Sequence, residues 1–347
     1  MTAPRKPWLQ DAKARVQRLK LAVDDRYVQL RHGAHSDARA EIMDRVAAIP
    51  GGAELLNLAQ QHKVKILVVN PASIDDVQGR FSRGPAGVFI RVANRGDIAR
   101  MTTTLWHELR HMQQHIDRGD MAGRAGKLHN ARAEHVIGLM IEADAFTAQT
   151  VMAVQQARGG RPEYLEAMLS RDGPAMDCIR EFLKKNQPPD FSDDRHFARA
   201  LFTEMMREGL PRYSAKYFER HRNIFQRAAT AEKFRKLVKR EGVAPKFLPT
   251  DRLLDTYLHR DDPAPSVSAL ARKFFCEQPR EAQETLALIE DTVQRAKDLS
   301  QSEFKQARNE IIDRTTGLSA RFNSAAARHA KPKSPGYFRR LRNSVGL

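Results

Sequence analysis

The sequence predicts an α+β protein that is mainly α-helical, with a small β-sheet. Three observations carry that expectation. Two short β-branched runs, 63–69 and 87–93, lie close together. Stretches with apolar residues three and four apart fill most of the remainder, and no apolar run reaches the roughly 20 residues that would span a bilayer. With 41% hydrophobic and 29% charged residues in 347, the chain suits a packed fold and excludes collagen-like, mucin-like or wholly disordered classes.

In chain order, residues 9–31 read as a charged amphipathic helix, and shorter helices follow at about 37–48 and 53–61, split by Pro50-Gly51-Gly52. Lys63 to Val69 is β-branched and closed by Asn70-Pro71, which suits a strand; Gly87 to Ala93 is the second. Asp97 is placed as the N-cap of a long helix whose stripe is Ile98, Met101, Leu105, Leu109, Met112 and Ile116. Gly119, Gly123 and Gly126 mark a break, after which a helix is expected over about 132–158. The rest reads as helical, cut by Pro188-Pro189, Pro211, Pro245, Pro249 and the Pro263/Pro265 pair. The implied organisation is a helical N-terminal segment (1–61), a core (62–158), a helical accessory region (159–325) and a basic flexible tail (326–347).

The strongest chemical signal is His107-Glu108-Leu109-Arg110-His111 in the middle of the predicted helix. Residues four apart share a helical face, so both imidazoles can reach one cation. Glu108 is rotated about 100° from His107, beside the pair, where it can take a proton from a metal-bound water without ligating. The apolar stripe points the other way. Amphipathicity and a preceding strand set the pentapeptide apart from a chance match.

A catalytic zinc needs a third protein ligand and keeps its fourth position open. Asp117 stands ten residues after His107, but ligation from there needs a sharp turn at position 114, where Gln114 continues the helix. His115 lies further round the helix and suits a solvated or supporting position. Glu142 is a carboxylate inside the apolar segment Leu139 to Phe146, costly to bury unless paired or cation-bound. It is the favoured candidate; a salt bridge to Arg110 or Arg132 is the plain alternative.

These residues resemble the gluzincin branch of the zincin metallopeptidases. The string Glu142-Ala143-Asp144-Ala145 is similar to the third-ligand helix of bacterial metallopeptidase families of uncharacterised function, and the resemblance covers about 62–158. It implies a zincin-like core holding one Zn2+ per chain on His107, His111 and Glu142, with Glu108 as general base. It implies hydrolysis of peptide bonds through a zinc-bound water activated by Glu108, on a peptide held along an edge strand, for which Gly87 to Asn94 is the candidate. One departure stands out: thermolysin-like members carry an Asp four residues after the glutamate, and position 146 is Phe. An oxyanion donor is sought among Tyr213, Tyr217 and His221, which lie at helical spacing.

The balance of charge suggests a second reading. The net charge is +17, and residues 212–246 carry eleven Lys/Arg against three Glu. With the tail, this is the footprint of a surface for nucleic acid or an acidic protein. The alternative function is therefore a non-catalytic or regulatory zincin-fold protein that binds such a partner through its basic helices. The intact Glu108 favours the enzyme. Charged residues from Asp11 to Lys20 interrupt any secretory h-region, and Cys178 and Cys276 stand in no metal or redox spacing. The expected setting is cytoplasmic, away from membranes.

Overall fold

The computed structural model describes residues 35–74, 77–84, 87–118, 131–186, 194–241 and 277–328. The expected helix at 9–31, the glycine break at 119–126, the later proline breaks from Pro188 to Pro189 and Pro245 to Pro265, and the tail beyond Arg328 lie outside these residues. The protein is mainly α-helical with one three-stranded sheet, an α+β fold. It divides into two compact units, up to Met112 and from Gln113.

In the first unit, helices α1 (Ser36–Ala47) and α2 (Gly52–Gln61) precede strand β1 (Lys65–Val69). Helix α1 buries Ile42 and Val46, and β1 buries Ile66, Val68 and Val69. Strands β2 (Gly79–Gly84) and β3 (Gly87–Ala93) complete a sheet in the order β1-β3-β2. β3 runs parallel to β1, with Ile66 opposite Ile90 and Val68 opposite Val92, and antiparallel to β2, with Phe81 opposite Ile90. Period-two alternation puts Ile66, Val68, Ile90 and Val92 on one buried face. On the other face Arg80 stands opposite Arg91, whose pKa is lowered by burial and then by that neighbour.

Two expectations change here. Gly79-Arg80-Phe81-Ser82-Arg83-Gly84 holds a single apolar residue, so periodicity does not reveal β2; its pairing with β3 makes it a strand. The run 87–93 is then the central strand, with both sides hydrogen-bonded, and cannot receive an extended peptide. Of its two neighbours, β2 is the edge strand that meets the motif helix.

Helix α3 (Ile98–Arg118) begins as expected: the Asp97 Oδ1 accepts the Arg100 N–H at 2.9 Å. Met101, Leu105, Leu109 and Met112 of its stripe are buried, but so are Thr102, Thr103, Thr104, His107 and Glu108. On the motif face His107 and Glu108 are therefore covered, while Arg110 and His111 stay half-buried.

The second unit is built around α4 (Ala131–Arg158). Around it are α5 (Glu163–Leu169), α6 (Pro174–Lys185), α7 (Asp194–Glu204), α8 (Pro211–Arg227), α9 (Ala231–Glu241), α10 (Arg280–Gln294) and α11 (Gln301–Arg328). Helix α4 packs against α5, α7, α8 and α10, and α8 packs along α11. A core of Phe218, Phe225, Phe234, Leu286, Ile289, Phe304, Ile311 and Leu318 joins α8 to α11. The segment Glu134–Arg158 has a mean hydropathy of 1.3 over 18 residues, enough by length and composition to cross a membrane. In the fold 71% of that window is buried, as befits a core helix.

Candidate metal centre

Helical spacing does for His107 and His111 what the sequence predicts. Their Nε2 atoms lie 3.0 Å apart, with ring centroids 4.7 Å apart and planes at 85°. Two imidazoles bound to one zinc at about 2.0–2.1 Å would have their nitrogens about 3.3 Å apart at a tetrahedral angle, so the pair already converges. Glu142 on α4 completes the group: His107, His111 and Glu142 each offer one ligand atom, all within 4.8 Å of one another. Two nitrogens and a carboxylate fit a zinc site that leaves a fourth position for water or substrate.

The other candidates go elsewhere. Asp144 is buried and accepts a hydrogen bond from Gln114 Nε2 at 2.5 Å; the same amide donates to the Ile141 carbonyl at 3.0 Å. Gln114 thus keeps its place in the helix, as the case against Asp117 requires. The Asp117 side chain itself lies outside the described residues. His115 is not part of the three-residue group. Arg132 is held by Glu290, which accepts from its Nε at 2.5 Å and from its backbone N–H at 2.9 Å.

Glu108 is 6% exposed, and its Oε2 accepts the Phe81 backbone N–H at 2.6 Å. The Ala93 N–H bonds the Gln78 carbonyl, so Phe81, three residues on, has its N–H on the outer side of β2. The free edge of the sheet thereby meets the motif helix at Glu108. Gly79 makes the approach possible: a Cβ there would stand 2.6 Å from Thr104 Cγ2 and 2.8 Å from Glu108 Oε1. Sequence reasoning missed Gly79 and Phe81; the only signal was a glycine opening an unrecognised strand.

The stripe on α8 separates into two kinds of residue. Tyr213 meets Phe146 edge-on at 6.2 Å, and Tyr217 meets His135 edge-on at 5.5 Å. His221 is 1% exposed and neither ring nitrogen has a hydrogen bond to the described residues. Burial, then Arg220 and His135, push its pKa down to about 3. Burial likewise lowers His135 to about 4, against an opposing contribution from the Gln278 side chain. An imidazole enclosed in this way is a packed neutral group, unlike the pair on α3.

With this geometry in hand, one comparison bears on the chain. Residues 18–187 match the Putative metallopeptidase family (DUF6782). That segment, just under half of the chain, contains the sheet, α3 and the whole His-His-Glu group. The match supports a metallopeptidase and implies a metal ion, without specifying the gluzincin type or zinc. No curated protein and no solved structure matches the chain.

Proposed function

We propose that the protein is a zinc-dependent peptidase in which His107, His111 and Glu142 hold the ion and Glu108 is the general base. The observation that carries this reading is the approach of the three ligand atoms to within 4.8 Å. When bound, the ion supplies Lewis acidity, polarising the scissile carbonyl and acidifying a water. Glu108, one residue from His107, takes the proton from the attacking water and delivers it to the leaving amine. Before a substrate arrives, the Phe81 N–H holds the Glu108 carboxylate against the edge of β2. Burial of His107 and Glu108 keeps bulk water away and strengthens each of these interactions.

Metal content of the purified protein tests the ligand set. The wild type should hold about one zinc per chain and Glu142→Ala should lose it; a wild type without metal after zinc is supplied would end the reading. Glu108→Gln should keep the zinc and lose at least about 100-fold in cleavage of a proteome-derived peptide mixture, followed by mass spectrometry. Full activity in that variant would remove Glu108 as the base.

The rival binding reading rests on the net charge of 212–246, in which two of the eleven basic side chains have acidic partners among the described residues. Arg220 pairs with Glu134 and Lys236 with Glu232.

A further inference from the structure

Gly138 lies inside α4, where glycine weakens a helix relative to alanine, so its presence calls for a structural reason. A Cβ at this position would fall on the hydroxyl oxygen and Cζ of Tyr217. The phenol end of Tyr217 therefore occupies the notch that the missing side chain leaves, and no other residue type at 138 would admit it. The ring is also pinned by His135, whose edge-on contact lies 5.5 Å away.

Glu142 stands four residues beyond Gly138, on the same face of α4. Helical side chains lean towards the N-terminus, so the carboxylate of Glu142 extends over the turn that contains Gly138. Tyr217 brings its hydroxyl to that turn. One turn away on α8, Tyr213 meets Phe146, four residues on the other side of Glu142. The two tyrosines bracket Glu142 along the helix.

From this juxtaposition we infer that Tyr217, seated in the Gly138 notch, is a positioning residue that donates its hydroxyl hydrogen to the Glu142 carboxylate and aims it at the metal. A phenol donor to a half-buried carboxylate forms a charge-assisted bond that leaves the other oxygen for the ion. The inference rests on the ligand reading above.

The test is zinc affinity, measured by competition with a chelating dye, together with the visible spectrum of the Co2+-loaded protein. Tyr217→Phe keeps the ring and removes only the donor; zinc should bind about 10–100-fold more weakly, with an altered cobalt spectrum and unchanged circular dichroism. Gly138→Ala should weaken zinc in the same way by displacing the ring. If Tyr217→Phe binds zinc like the wild type, the inference fails and the ligand reading stands. If the wild type binds no zinc, or Glu142→Ala retains it, both fail.

Discussion

Two pairs of histidines stand out among the described residues, one half-buried at His111 and the other enclosed on both members, and their surroundings differ in kind. His107 and His111 share a helix face, turn their Nε2 atoms towards each other and have the Glu142 carboxylate within reach. His135 and His221 come from separate helices and sit among Tyr217 and Phe218, with Arg220 adding to the cost of protonation. The lesson is that burial of a histidine pair does not make a metal site. A carboxylate within reach and a shared direction are what set the candidate group apart.

The largest effect should separate the pairs outright. His107→Ala should abolish zinc binding, whereas His221→Leu should leave the metal content of the folded protein unchanged. Mass spectrometry of the metal in both variants checks this; equal loss would break the comparison.

Acid should act on the second pair. An unfolded histidine titrates near 6.5, whereas His135 and His221 titrate at about 4 and about 3 in the fold. With the folded values depressed, the unfolded state binds more protons below pH 6.5. The stabilising contribution is thus complete above that pH and is lost as pH falls towards 4 and 3. Urea midpoints of the metal-free protein should fall between pH 7 and pH 5, and His221→Leu should flatten the slope. An equal slope in the variant would place acid sensitivity elsewhere.

A smaller effect concerns the base rather than the ligands. Gly79→Ala would press a methyl group onto Thr104 and Glu108. Overpacking of this kind costs about 1–3 kcal/mol, seen as a lower thermal midpoint. Zinc affinity should change little, since the atoms nearest the added methyl belong to Thr104 and Glu108, neither of them in the His107, His111 and Glu142 group.

Much of this arrangement was legible in the sequence, for reasons that differ from element to element. Asp97 and the three-and-four spacing of Met101, Leu105, Leu109 and Met112 define α3 because capping and amphipathicity are local. The His107–His111 pair follows from helix periodicity alone. Glu142 was legible because a carboxylate among Leu139, Met140 and Ile141 needs a compensating partner. The family-scale resemblance agreed with the metallopeptidase match at that coarse level. By contrast, β2 was illegible: its only large apolar side chain is Phe81, and its identity comes from pairing with β3 across the chain. Assigning 87–93 to an edge was the consequence of missing it. The fate of His221 was also hidden, since a Tyr–Tyr–His spacing describes equally a row of donors and a row of packed rings. Only the neighbouring helix tells which it is.

The hydrogen bond from Phe81 to Glu108 has a consequence for the order of events at this site. One backbone N–H cannot serve two acceptors at full strength. A chain that added to the outer side of β2 would present its own carbonyl to that donor and displace the carboxylate. For any such chain, occupying the edge and unfastening Glu108 would be a single exchange at one donor.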